Sequence, residues 1–100
     1  MNIALISLYD VENNAVRTLA HVLRQRGHRA LEVYFKDWKN NGLVWPSDAE
    51  LRNLVRRLKA FDVEVVGFSL RASAYLQVCA FLADHLRSAL GVPIVLGGVH

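Results

Sequence analysis

The chain is poor in the residues that usually announce special chemistry or irregular structure. Among its 100 residues are one cysteine, one methionine, two prolines and six glycines. A lone Cys79 excludes an internal disulfide and any cysteine-rich metal site built by this chain alone. Set in a helical pattern, it reads as a small apolar core residue. The scarcity of Gly and Pro, with no biased tract and no repeat, argues against linkers, disorder or a solenoid. No apolar run approaches the ~18 to 20 residues of a membrane span, and the start "MNIALISLYD" reaches Asp10 too soon for a signal peptide. A soluble, cytoplasmic protein is expected. Strong charge is lacking as well, with 12 Lys and Arg against 9 Asp and Glu. Arg17, Arg24, Arg26, Arg52, Arg56, Arg57 and Lys59 fall at solvent-facing helical positions, so they read as a solvated face. No basic stripe interleaved with aromatics is present, and a nucleic-acid partner is not expected.

What is present is a core and a clear alternation of elements. Hydrophobic residues make up 53% of the chain, enough for one domain that buries roughly 60 to 70% of its unfolded surface. "NIALISLY" is apolar at nearly every position, as a central strand covered on both faces would be. From Asn13 to Arg26, Val16, Leu19, Ala20 and Leu23 recur at helical spacing, with Asn13 as a cap and Gly27 as a stop. "HRALEVYF" alternates, with Leu31, Val33 and Phe35 on one side and Ala30, Glu32 and Tyr34 on the other, as an edge strand would. "KDWKNNGLVWP" has the composition of a long connection.

A second helix is predicted from the capping box Ser47 to Glu50, followed by Leu51, Leu54, Val55 and Leu58. A second central strand is predicted over Val63–Ser69, and a third helix over Ala74–Leu90 with Tyr75, Cys79, Leu82, Leu86 and Leu90 inward. Pro93 then opens a fourth strand. Strands this far apart cannot form hairpins, so the sheet is expected to be parallel with right-handed crossovers. The class is α/β: a Rossmann-like, flavodoxin-like three-layer fold with strand order 2-1-3-4.

In such a sheet, ligands sit at the carboxyl ends of the strands beside the switch point. That edge collects Ser7, Tyr9 and Asp10 after the first strand, Ser69, Leu70 and Arg71 after the third, and Gly97, Gly98, Val99 and His100 after the fourth. His28 opens its strand and belongs to the opposite edge; His21 and His85 lie off the apolar helix faces and read as solvated. No glycine-rich phosphate loop or Walker sequence follows the first strand, and Asp10 and Glu12 put negative charge where phosphate would bind. A phosphoacceptor site is excluded by "FSL" where a third-strand aspartate would stand. What remains is Ser69 with Gly97 and Gly98, whose small size would open a slot for a bulky cofactor or substrate between strands one, three and four. Glycines after a strand are also common as plain turns.

"VGFSLRAS", Val66–Ser73, and "VPIVLGGVH", Val92–His100, joined by a helix, resemble the cobalamin-binding domain that precedes the catalytic barrel of many radical SAM enzymes. The likeness covers nearly the whole chain, including "NNAVRTLAHVLRQRGH", and its most specific part is G-x-S followed by GG-x-H. It implies a cobalamin whose dimethylbenzimidazole tail lies beside Ser69, Gly97 and Gly98, with Tyr9, Leu70, Arg71, Val99 and His100 near the corrin. Better-known cobalamin domains carry D-x-H-x-x-G after the first strand, whose histidine ligates cobalt. Here that stretch reads "DVENNA", with Asp10 retained, Glu12 for the histidine and Ala15 for the glycine. The resemblance therefore implies cobalamin held without an axial protein histidine, and no protein metal ligand. Arg71 near cobalt would discourage a lower ligand.

The same resemblance implies that residues 1–100 are the N-terminal part of a longer enzyme, cut before a fifth strand. Its downstream radical SAM domain would be this module's partner and carry the 4Fe-4S cluster and SAM, with methyl transfer as a candidate reaction. No Cys-x-x-x-Cys-x-x-Cys occurs in this chain, so the module is not catalytic alone. The competing readings are an interaction domain that has lost its cofactor and docks through the Trp38 and Trp45 loop, and a small nucleotide- or flavin-binding domain.

Overall fold

The computed structural model describes residues 1–8, 14–35, 46–70 and 76–98. The elements alternate as β1 (Asn2–Leu8), α1 (Asn14–Gln25), β2 (Arg29–Phe35), α2 (Asp48–Ala60), β3 (Val65–Leu70), α3 (Leu76–Leu90) and β4 (Ile94–Gly98). The four strands form one parallel sheet in the order β2-β1-β3-β4, the expected Rossmann-like arrangement. The Asn13 cap, the Trp38 and Trp45 connection and Tyr75 lie outside the described residues.

Period-2 alternation divides β1 between two cores. Ala4 and Ile6 join Val33, Val66 and Phe68 beneath Leu51, Leu54 and Leu58 of α2 and Val78, Cys79, Leu82, Ala83 and Leu86 of α3. Leu5 points the other way and packs with Val16 and Ala20 of α1. Two helices thus cover one face and one helix the other. The near-continuous apolar run of β1 follows from this double coverage, since Ala4, Leu5 and Ile6 are all buried.

Helix ends are set locally. The capping box of α2 forms as expected: Glu50 N–H donates to Ser47 Oγ at 3.2 Å and Ser47 N–H to Glu50 Oε1 at 2.8 Å. At the end of α1, Gly27 has φ +87°, His28 N–H donates to Leu23 O and Gly27 N–H to Arg24 O. This is a Schellman turn, for which glycine is suited.

The end of α2 repeats that turn without a glycine. Asp62 takes the left-handed position at φ +56°, while Val63 N–H donates to Leu58 O and Asp62 N–H to Lys59 O. This corrects the expected start of the third strand. Val63 spends its N–H on the helix cap, and β3 begins two residues later, at Val65. The turn is also tied to β1, because Asn2 Nδ2 donates to the carbonyls of Phe61 and Asp62 at 2.9 and 3.1 Å.

Candidate functional site

The parallel register lines up the small residues that the strand ends carry. Ser7 pairs with both Tyr34 and Ser69, and Ser69 pairs with Gly97, giving one row across the sheet: Tyr34, Ser7, Ser69, Gly97. Exposure rises along it. Ser7 is fully buried, Ser69 half-buried and Gly97 exposed. Leu70 and Gly98 pair one step further along.

Strand alternation puts this row on the α1 face, together with Leu5, Gly67 and Val95. On that face α1 packs on β1 and β2 through Val16, Ala20 and Leu23, and it leaves the β3–β4 half open. The opening is a groove of about 260 Å³. Leu19 and Leu23 of α1 contribute to one side, Leu5, Val65, Gly67 and Ser69 to the middle, and Val95 and Gly97 to the other side. Among the described lining residues, Ser69 contributes the only polar side chain. Leu19 is 48% and Val95 56% exposed, so apolar surface borders the groove from both the helix and the sheet edge.

The two described glycines of the groove differ in what they do. A Cβ on Gly67 would stand 3.2 Å from Leu5 Cδ2, so Gly67 is held by close packing. A Cβ on Gly97 would meet nothing within 4 Å, and its φ lies outside the left-handed region. Among the described residues, neither turn geometry nor a neighbouring atom calls for glycine at that place. A side chain there would enter the groove.

Two of the expected site residues fall within this groove. Ser69 and Gly97 line the groove, which runs along the α1 face rather than standing only above the strand ends. Ser7 keeps its place in the row but is fully buried and not part of the lining. Tyr9, Asp10, Arg71, Val99 and His100 lie outside the described residues. Gly67, Val65, Val95, Leu19 and Leu23 were missed. Counting back by twos from Ser69 and Gly97 would have found the three strand residues, and the exposed edge of the helical stripe would have found Leu19.

At the β2 end of the row, a polar network fixes α1 to the sheet. Tyr34 Oη donates to Glu32 Oε1 at 2.7 Å, and Arg24 Nη1 to Glu32 Oε2 at 3.0 Å. Arg24 Nη2 donates to Ala30 O at 2.8 Å, and the Arg17 guanidinium lies 5.1 Å from the Tyr34 ring centroid. The hydrogen bond from Tyr34, followed by Arg24, holds the Glu32 carboxyl below its ordinary value against the opposing effect of burial. Burial, then the neighbouring Glu32, raises the Tyr34 hydroxyl. This network sets the position of the helix that borders the groove.

The remaining reactive side chains lie elsewhere. Cys79 is buried on the α2–α3 side, and desolvation pushes its thiol up to about 11, which keeps it neutral and unreactive near pH 7. His28 sits at the opposite edge, with Nδ1 buried and without a hydrogen-bond partner among the described residues. His21 is exposed as expected, whereas His85 is half-buried and stacks with Phe81. Among the described residues no three His, Cys, Asp or Glu side chains group to hold a metal ion, and no helix is long and apolar enough to cross a membrane. The groove presents shape and apolar surface with one hydroxyl, a combination suited to binding.

The fold and groove define a Rossmann-like α/β domain with an apolar cleft beside the switch point between β1 and β3. No family model matches the chain, and no curated protein matches it.

Proposed function

We propose that this chain is the cobalamin-binding module of a cytoplasmic radical SAM enzyme and holds cobalamin without an axial protein histidine. The observation that supports this reading best is Gly97: its missing side chain leaves open space in the groove, in register with Ser69 and beside Gly67. A flat, largely apolar dimethylbenzimidazole tail suits such a cleft. At about 260 Å³ the groove is below the ~300–1,000 Å³ typical of whole-ligand pockets. It fits a tail better than a corrin.

On this reading Gly67, Ser69 and Gly97 admit the tail, with Leu19 and Val95 covering its apolar faces. The corrin falls to the strand-end residues Tyr9, Asp10, Leu70, Arg71, Gly98, Val99 and His100, and Ser7 supports the row from below. Cobalamin would supply a cobalt centre able to carry a methyl group, and the partner radical SAM domain would supply the iron–sulfur and SAM chemistry. This chain's own residues bind and orient; none acts as nucleophile or acid–base group.

The test is to mix the purified protein with hydroxocobalamin, desalt, and record the visible spectrum. Retained corrin absorbance is expected, and its absence would sink the reading. Gly97→Val should cut retention at least tenfold while the far-ultraviolet circular dichroism stays unchanged. Equal retention would mean that the tail lies elsewhere. A second reading, a Rossmann-like interaction domain without cofactor, is favoured by Leu96. It is 51% exposed on the face away from the groove, where a bound tail would not cover it.

A further inference from the structure

We propose that the groove between α2 and α3, on the face away from the cobalamin reading's site and independent of it, docks an acidic, amphipathic segment of a partner protein. The groove has a volume of about 410 Å³ and is lined by Arg52, Val55, Arg56 and Lys59 of α2 and by His85 and Ala89 of α3. Arg52, Arg56 and Lys59 follow the i, i+4, i+7 spacing of one helical stripe. All three are exposed, and none pairs with a carboxylate among the described residues.

Four cations elsewhere in the described structure are engaged, while the exposed Arg26 and Arg57 have no carboxylate partner among the described residues. Arg24 pairs with Glu32 at 3.0 Å, Arg87 with Asp84 at 2.9 Å, and Arg17 and Arg29 lie over the rings of Tyr34 and Phe61. On α2, by contrast, like charges are neighbours at i,i+4 and i,i+3, an arrangement that opposes the helix. Lys59 in the last turn has a local reason, since it complements the helix dipole. Arg52 follows Asp48 by four residues, a spacing of opposite charges that favours the helix, so Arg56 is the cation of the stripe without a local reason. A negative partner in the groove would relieve the repulsion and match the charge.

The chemistry of the lining narrows the partner. The cations are strung over roughly 10 Å of helix, at ~1.5 Å per residue, rather than converging on one point as they would for a single phosphate. Between them lie Val55 and Ala89, and Phe81, 41% exposed, stacks with His85 along α3. Apolar floor plus cationic rim fits a helix or strand bearing carboxylates beside Leu-type side chains. A nucleic-acid backbone offers charge without that apolar complement.

The experiment uses fluorescence anisotropy with a fluorescein-labelled 14-residue peptide carrying Glu at i, i+4 and i+7 and Leu on the adjoining stripe. Arg52→Glu/Arg56→Glu is compared with Arg26→Glu/Arg57→Glu, which changes the net charge equally at exposed sites outside the groove. The first variant should weaken binding at least tenfold and the second less than threefold. Replacing the peptide's Leu by Ser should weaken binding at least fivefold. Equal losses in the two variants, no loss in either, no binding by the parent protein, or tighter binding of a 20-nucleotide single strand than of the peptide would each overturn the proposal. Arg52→Gln/Arg56→Gln, with circular dichroism as a check on folding, repeats the test without reversed charge and should weaken binding at least threefold; an unchanged affinity would also overturn it.

Discussion

The two edges of the sheet are built from similar strands but are finished differently. At the β2 edge, Val33 is buried under α2 and α3, and the other face is bound to α1 through Arg24, Glu32 and Tyr34. At the β4 edge, Val95 and Leu96, on opposite faces, are 56% and 51% exposed. The rows of the sheet make the comparison direct. Val33, Ile6, Phe68 and Leu96 pair in one line on the α2–α3 face, at 1%, 0%, 3% and 51% exposure. One edge is therefore completed by the described helices, whereas the other, among the described residues, presents apolar surface that contributes little to folding.

The largest expected effect separates the ends of that row. Val33→Ala removes buried methyl groups and should cost about 2 kcal/mol in urea unfolding. Leu96→Ala, a larger truncation, should cost less than about 1 kcal/mol because half of its surface is already wet. Equal losses would mean that the β4 edge is as well covered as β2 in solution, and the contrast between the edges would fail.

Much of this architecture is legible in the chain. The unbroken apolar run of β1 encodes coverage on both faces, and alternation in β2 encodes an edge with one drier face. The capping box encodes the start of α2. Its end was harder to read, because Asp62 occupies a position where glycine is the usual signal and moves the start of β3 to Val65. For the site, Ser69 and Gly97 stand out by their small size, but their alignment depends on strand register, which no single strand specifies. The groove depends in addition on α1 covering β1 and β2 alone, a packing fact that residue spacing does not contain.

A smaller effect compares the glycines of β3 and β4. Gly67→Ala crowds Leu5 Cδ2 at 3.2 Å and should cost up to about 1 kcal/mol, since a flexible methyl can yield by a few tenths of an ångström. Gly97→Ala meets open space and should raise stability by about 0.5 kcal/mol, because alanine has less backbone entropy to lose. A substitution that stabilises the fold while lowering ligand retention would mark Gly97 as a residue kept for binding. A destabilising Gly97→Ala would mean instead that the groove wall closes over β4 in solution.

The smallest effect concerns the β2 edge and its pH dependence. The Glu32 carboxyl is held below its ordinary value of 4.5, so folding is favoured by its ionised form. That contribution is complete above the unfolded value and is lost as pH falls through the lower folded one. Stability of the parent protein relative to Glu32→Gln should therefore be constant from pH 7 to about 5 and shrink below about 4.5. Tyr34→Phe removes the hydrogen bond that is the largest cause of the lowering, and should move the Glu32 titration, followed by carboxyl-carbon NMR, back toward 4.5. Because Glu32 is partly solvated, the stability change is small, but its location is informative. A titration unmoved by Tyr34→Phe would show that the Tyr34 hydroxyl does not hold the carboxylate, and the tie between α1 and β2 would rest on Arg24 and apolar packing alone.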